Sequence, residues 1–493
     1  MNVPLSRRTL LTGAVAATTA LGTAPARGAA KPAKQDAPNI LLFTVDDMGG
    51  DTPGCFGGRA DLTPTVDRLA EQGMSFGRAH VPVAICQPSR SAMLTGRYPH
   101  RNGAEGFEPI DDDVPVLNDL LRPRGYLTGI LGKYAHLEPP ERFAWDLSAK
   151  PPQLGMGRDP EKYAQFATQL FDRAKTENRP FFLMANAEDP HRPFHGSAAE
   201  QQRFTPEQLA TIPRPSRVYT PDETDVPGFL PGLPDVRKEM SEYLSSARRA
   251  DDTLAAVLAA LDASGMASNT IVIFMSDNGI AVPFAKANCW AHSTRTPLIV
   301  RWPGTTQAGR SDRTHFVSTM DLFPTLCRAA GAAVPEGLDG RDLTPLLEGG
   351  SQSGRGQITT VFHKSDQEVR YDMRGVHDSR WSYVWNAWSD GQKAYQAENM
   401  TGLTWPAMQA AAADSPDVAA RVEFFLHRVP EELYDLENDP DSLHNLVEDT
   451  GPEVVAALEA KRDDLRAWME ATGDPIRDQY QPARRPQAKR GAR

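Results

Sequence analysis

Apolar runs of strand length recur along this chain, and each stops at a cluster of polar residues. Asn39-Ile40-Leu41-Leu42-Phe43-Thr44-Val45 is continuous and rich in β-formers, which predicts a strand buried on both faces, and it ends in Asp46-Asp47. Tyr126 to Leu131 predicts another, ending in Gly132-Lys133-Tyr134-Ala135-His136. Pro180 to Ala187 ends in Glu188-Asp189-Pro190-His191-Arg192, and Thr270 to Met275 ends in Ser276-Asp277-Asn278-Gly279. Further strands are expected from about Met74 and over Pro297 to Trp302. Helical periods alternate with these runs. Thr63 to Gly73 has a capping threonine and a glycine stop, Val116 to Leu121 is short, and Val236 to Ala263 is long. Met320 to Ala330 places Leu322, Phe323 and Leu326 on one side, with Cys327 expected in the core. The alternation predicts an α/β fold: a mixed, mostly parallel sheet flanked by helices, with its site outside the carboxyl ends of the strands.

Residues 193 to about 236 are proline-rich and irregular, an insertion long enough to cover something. Glu348 to Gly356 reads as a linker. Beyond it, short strands are expected at Ile358–Phe362, Met373–Val376, Trp381–Trp385 and Glu432–Leu436, then a closing helix over Pro452–Met469. The expected organisation is a leader over 1–36, a catalytic domain over 37–349, a smaller antiparallel-sheet subdomain over 350–475 and a disordered basic tail over 476–493. Ser6-Arg7-Arg8-Thr9-Leu10-Leu11, an apolar run and small residues near Ala26–Ala30 form a twin-arginine signal, which predicts export to the periplasm or medium by the Tat translocase. No later stretch has the length and apolarity of a membrane helix, so no stable membrane insertion is expected.

Composition narrows the chemistry. A net charge of −11 argues against a general nucleic-acid binder, and it requires any anionic substrate to meet a locally basic pocket. Four scattered cysteines do not make a disulfide framework. One of them, Cys86, starts the stretch Cys86-Gln87-Pro88-Ser89-Arg90, where Pro88 suits a helix start and Gly96 a stop. Unpaired N–H groups at such a start suit a reacting anion, although a lone cysteine there is also a common buried thiol. Asp46, Asp47, Asp277 and Asn278 offer only oxygen donors, which favours Ca²⁺ or Mg²⁺ over zinc. Lys133, His136 and His191 also follow strand ends, and Lys286 lies in the loop after Asn278. Any one of these is unremarkable alone; their collection beside opposite charges marks a site.

Cys86-Gln87-Pro88-Ser89-Arg90 with Leu94-Thr95-Gly96 resembles the Cys-x-Pro-Ser-Arg motif of the type I sulfatases, in the alkaline-phosphatase-like superfamily. Val45-Asp46-Asp47 and Ser276-Asp277-Asn278-Gly279 are similar to that family's two metal motifs, and the likeness runs from about Asn39 to about Gly473. Within the family, the heparan N-sulfatase (sulfamidase) branch is resembled by 179–183, 189–192, 272–280, 367–369, 373–376 and 432–435. Two details depart from the family pattern. His136 stands one residue later than the usual Gly-Lys-x-His, and the loop around Lys286 lacks a Gly-Gly stretch.

The resemblance implies that a formylglycine-generating enzyme oxidises Cys86 to 3-oxoalanine (Cα-formylglycine). The hydrated aldehyde then offers one hydroxyl for attack on sulfur and a second for release, whereas a thiol would leave a stable thio-linked product and a serine a trapped ester. Asp46, Asp47, Asp277 and Asn278 would hold Ca²⁺ or Mg²⁺. Arg90 would neutralise the attacking hydroxyl, and Lys133 and Lys286 would hold sulfate oxygens. His191 would protonate the leaving atom, aided by Lys286, and His136 would take the proton of the second hydroxyl. Arg192, Glu368 and Arg374 would read the sugar. The implied substrate is the N-sulfate of glucosamine in heparin- or heparan-type saccharides. The alternatives are an O-sulfatase on another carbohydrate or aryl sulfate, a phosphonate monoester hydrolase, and a carbohydrate-binding relative without activity.

Overall fold

A computed structural model describes residues 37–482. The twin-arginine leader over 1–36 and residues 483–493 of the basic tail lie outside the described residues. The strands of the first part are β1 (Asn39–Val45), β2 (Met74–Phe76), β3 (Ala79–His80), β4 (Leu127–Leu131), β5 (Leu147–Ala149), β6 (Phe181–Ala187), β7 (Thr270–Ser276), β8 (Leu298–Arg301), β9 (Arg310–Asp312) and β10 (Val317–Ser318). Eight of them form one sheet in the order β5-β4-β6-β1-β7-β8-β2-β9, and β3 pairs with β10 apart from it. β1 lies at the centre, parallel to β6 on one side and β7 on the other. The sheet is mixed because β8 runs antiparallel to both β7 and β2.

The register decides where the chemistry sits. Val45 lies opposite Ala187 and opposite Ser276, so the three central strands stop at one level. Asp46, Glu188 and Asp277 follow directly on that level. Every residue of β1, β6 and β7 is buried, as their unbroken apolar runs require. Leu41 and Phe43 face a layer containing helices Pro160–Glu177 and Pro234–Ser264, through residues such as Leu170, Phe171, Leu254 and Val257. Ile40 and Leu42 face the opposite layer, with Met93, Leu117, Phe323, Leu326 and Cys327.

Helix Pro160–Glu177 was not anticipated from the sequence. Asp159 caps it by accepting from the N–H groups of Glu161 and Lys162 at 2.9 and 3.3 Å, and its apolar face is Tyr163, Ala167, Leu170, Phe171 and Ala174. The insertion after Pro193 contains short helices at Ala198–Arg203 and Pro206–Leu209.

A second sheet is an antiparallel meander of β11 (Ile358–Lys364), β12 (Arg370–His377), β13 (Trp381–Asn386) and β14 (Glu431–Asp435). Helix Pro452–Thr472 packs on it through Leu458, Leu465 and Met469, against Val376, Tyr383 and Leu433. A long excursion between β13 and β14 carries helices Thr404–Ala411 and Pro416–His427, which the hydrophobic pattern did not reveal.

Arg374, expected to read the sugar, holds this sheet together instead. It is fully buried on β12; Nε and Nη2 donate to Asp474 at 2.5 and 3.1 Å, and Nη1 donates to the carbonyls of Met373 and Phe362 at 2.9 and 3.3 Å. Burial raises the Asp474 carboxyl, but Arg374 outweighs it and the carboxyl stays below its usual range. Replacing Arg374 by Met strands that carboxylate, so stability falls by about 3–5 kcal/mol. The midpoint of urea unfolding reads this loss, and the KM of the folded fraction stays at the wild-type value.

Candidate active site

The three strand ends are tied together by a residue from outside the sheet. Helix Cys86–Thr95 begins at Cys86, follows the extended Ile85, and is buried along its whole length. One turn on, Arg90 is 1% exposed. Its Nη1 donates to Thr44 Oγ1 at 2.9 Å on β1 and to Asn186 Oδ1 at 2.6 Å on β6. Its Nη2 donates to Asp277 Oδ2 at 2.9 Å and to Asp46 Oδ1. The same helix is pinned again where Ser89 Oγ donates to the Asp277 carbonyl at 2.6 Å. Asp47 has a left-handed backbone (φ 64°), and its N–H donates to Asp277 Oδ1 at 3.2 Å.

Two lysines complete the ring of charge. Lys286 Nζ lies 3.1 Å from Cys86 Sγ, 2.6 Å from Asp47 Oδ1 and 2.7 Å from Glu398 Oε1. Lys133 Nζ pairs with Glu188 Oε1 at 3.0 Å and with Asp46. Burial pushes the Cys86 thiol well above its ordinary value, which Lys286 only partly opposes, so the unmodified sulfur is a protonated thiol. Burial raises the Asp46 carboxyl too, but Lys133 and then Arg90 outweigh it and hold Asp46 well below the carboxylate range. Asp277 goes the other way: burial, then the charge of Asp46, drive its carboxyl well up.

The histidines flank this cluster. His191 Nε2 is 3.9 Å from Asp47 Oδ2 and 3.9 Å from Glu398 Oε2. Its Nδ1 is 2.5 Å from the Arg192 carbonyl, which can only accept, so Nδ1 carries a hydrogen. The His191 loop hangs from buried Asp189, held by Arg158 at 2.9 Å and by Arg249 at 2.6 and 3.1 Å, while Arg158 also donates to the His191 carbonyl at 3.1 Å. His136 ends a single turn, Tyr134–His136, edge-on to Phe107 at 6.0 Å. Burial, then the charge of Lys133, push its imidazole down to about 3, so it is neutral at physiological pH.

The residues present fit a hard divalent cation. Asp47 Oδ2 and Asn278 Oδ1 are buried with no hydrogen-bond partner, and Asn278 is fixed by its Nδ2 donating to Asp47 Oδ1 at 2.7 Å. Even with Asp277 driven up, Asp46, Asp47, Glu188 and Glu398 outnumber their cationic partners Arg90, Lys133 and Lys286, so the cluster carries surplus negative charge. Ligand atoms of Asp46, Cys86 and His191 also lie within 4.8 Å of one another. The hard-oxygen chemistry of the Asp and Asn side chains, rather than sulfur or imidazole, selects the ion.

Two further residues expected to read the sugar have other partners. The Arg192 guanidinium pairs with Glu239, donates to the Ala281 carbonyl at 2.6 Å, and sits 4.4 Å over the Phe194 ring. It borders a cavity of about 720 Å³ beside His191. Glu368 is 49% exposed and accepts from the Phe107 N–H at 3.2 Å, which makes it a support for the Phe107 loop at the rim. Glu188 and Glu398 belong to the cluster and were not assigned from the sequence. Glu188 stood in the polar run after β6, so a signal for it existed. Glu398 comes from the excursion of the second sheet, and its local sequence carries no signal.

A family model described as sulfatase matches residues 38–332, and one described as N-sulphoglucosamine sulphohydrolase, C-terminal, matches 282–394. Human N-sulphoglucosamine sulphohydrolase is 30% identical over 470 residues, covering 89% of this chain and 91% of the relative. Human arylsulfatase A is 30% identical over 467 residues, covering 85% of this chain and 86% of the relative. In fold alone, the chain is similar to a solved structure in complex with its substrate D-glucosamine-2-N,6-O-disulfate, with a TM-score of 0.65 at 18% identity over 90% of this chain and 99% of that one. Sulfatases generally use formylglycine and a divalent metal. Because the sulfatase match spans more than half of the chain, and with it all the strand ends that meet at Cys86, this protein belongs to the sulfatase family and hydrolyses sulfate esters or sulfamates.

Proposed function

We propose that the protein removes the N-sulfate of glucosamine residues in heparin- or heparan-type saccharides. The observation that carries this reading is the N-sulphoglucosamine sulphohydrolase match over 282–394, which covers Lys286 and three strands of the second sheet. The human relative of that name supports it, and the similar fold solved with a glucosamine that carries both an N- and a 6-O-sulfate supports a sulfated glucosamine without choosing between the two positions. Equal identity to arylsulfatase A supports an O-sulfate ester as the second reading.

Asp46, Asp47, Asp277 and Asn278 would hold the cation, Ca²⁺ with Mg²⁺ as the alternative, which withdraws charge from sulfate oxygens. Oxidised to 3-oxoalanine by a formylglycine-generating enzyme, Cys86 would supply the paired hydroxyls for attack and release. Lys286, 3.1 Å from Cys86 Sγ, and Lys133 would meet the sulfate oxygens, and the Arg90 guanidinium, bonded to Asp46 and Asp277, would oppose negative charge at position 86. His191 Nε2 gives a proton to the leaving atom. His136, kept neutral by burial, accepts the proton of the second hydroxyl, so that sulfate leaves and the aldehyde returns. The twin-arginine pattern over 1–36 supports export after folding, which lets Cys86 be modified in the cytoplasm.

Turnover of N-sulfoglucosamine, a 2-O-sulfated saccharide, 6-O-sulfated glucosamine, an aryl sulfate and an aryl phosphonate tests the substrate directly. Sulfate release is expected fastest from the N-sulfated sugar; release from O-sulfates alone selects the second reading, and phosphonate turnover alone refutes both. Cys86→Ala lowers turnover on the order of 10³-fold or more while its thermal unfolding stays at the wild-type midpoint. Chelation with EDTA followed by metal analysis is expected to remove one divalent ion and the activity together, and Ca²⁺ restores it. Arg7→Lys with Arg8→Lys is expected to leave the protein in the cytoplasm on fractionation.

A further inference from the structure

Glu398 reaches the Cys86 cluster from the second sheet. It begins a single turn, Glu398–Met400, in the excursion between β13 and β14. Its N–H donates to Asp366 Oδ1 at 2.9 Å, and the neighbouring Asn399 Nδ2 donates to the Lys286 carbonyl at 2.6 Å, so the turn is fixed from both sides. Oε1 meets Lys286 Nζ at 2.7 Å, yet Lys286 already has a buried counter-charge in Asp47 at 2.6 Å. Neutralising Lys286 therefore does not account for Glu398. Its other oxygen, Oε2, faces His191 Nε2 at 3.9 Å. His191 and Asp366, with Thr401 and Gly402 just beyond Glu398, line the cavity of about 720 Å³. Oε1 is thus held by Lys286 on the sulfate side, while Oε2 turns toward His191, the group that faces the leaving atom.

We propose that Glu398 is a specificity-determining residue that favours nitrogen over oxygen as the leaving atom. The proposal deepens the N-sulfate reading and rests on it. Sulfamate hydrolysis, R–NH–SO₃⁻ + H₂O → R–NH₃⁺ + SO₄²⁻, breaks the S–N bond and leaves the electron pair on nitrogen, which takes up protons and becomes a cation. Ester hydrolysis, R–O–SO₃⁻ + H₂O → R–OH + SO₄²⁻ + H⁺, leaves a neutral hydroxyl. The sulfamate nitrogen carries an N–H donor from the start and gains positive charge as the bond breaks. The bridging ester oxygen has only lone pairs. A fixed carboxylate accepts from the first and repels the second, so discrimination comes from both an attraction and a clash.

The test uses two sugars that differ only in the bridging atom, glucosamine N-sulfate and glucose 2-sulfate, with the metal-loaded, modified enzyme. In Glu398→Gln the sulfamate-to-ester ratio of kcat/KM is expected to fall on the order of 10–100-fold, as for loss of a hydrogen bond to a charged group. Glu398→Asp retains part of the ratio, and it reads the same quantity if the Gln variant fails to fold. An equal loss on both sugars overturns the proposal and leaves Glu398 as a support for Lys286. Sulfamate turnover absent from the wild-type enzyme overturns the N-sulfate reading and this proposal with it, so the two failures are distinguishable.

Discussion

The structure depends on one buried guanidinium. Arg90 donates to groups on β1, β6 and the end of β7, and none of those contacts reaches water. Removing an arginine from water costs several kcal/mol unless its donors find partners, as Nη1 and Nη2 do here while Nε does not. Its partners are in place only because Val45, Ala187 and Ser276 share one level of the sheet. A one-residue slip of either neighbouring strand would turn Asn186 or Asp277 to the wrong face. The polar side chains Thr44 and Asn186, otherwise costly inside a parallel sheet, are satisfied by the same guanidinium. Fold and site are therefore coupled: the sheet's register positions the charges, and the charges reward that register alone.

The site's electrostatics follow from this packing. Two carboxylates share Arg90, and Lys133 sides with Asp46, so Asp46 is the ionised partner and Asp277 the one driven up. A hard divalent cation answers that imbalance better than a further side chain does, because it brings two charges into a space bounded by oxygen. The neutral His136 and protonated Cys86 express the same burial, which the charges beside them do not outweigh.

Much of this was legible in the sequence, and the reason is local. Asp46, Asp47, Lys133, His191, Asp277 and Asn278 all lie within five residues of the end of a buried strand, so predicting the strands nearly places the residues. Cys86 and Arg90 share one helix. What failed was long-range. Arg374 finds Asp474 through packing that no local pattern encodes, so it looked free for a ligand; Arg192 finds Glu239 in the same way, yet still borders the cavity beside His191. Helix Pro160–Glu177 has only a narrow apolar stripe among charged positions, and the alanine-rich helices of the excursion lack a clean period.

Glu398 is the most informative omission, because it shows how the second sheet enters the chemistry. The loop after β7 is held by the far side of the molecule. Asn399 fixes the Lys286 carbonyl, Tyr395 Oη donates to the Ala287 carbonyl at 2.7 Å, Arg428 donates to Asn288 Oδ1 at 2.5 Å, and Trp290 Nε1 donates to Glu432 at 2.8 Å. Lys286 thus approaches Cys86 at an angle set by the excursion between β13 and β14 as much as by the strands its loop connects. The sulfate-facing half of the site belongs to the large sheet, whose register leaves it little freedom. Around His191 the two parts meet: its loop follows β6 and is fixed by Asp189, Arg158 and Arg249, whereas Glu398 opposite it comes from the excursion of the second sheet. The excursion can therefore differ without disturbing Arg90 or the strand ends, and the core that collects the charged groups does not depend on the sequence of the loop that faces them.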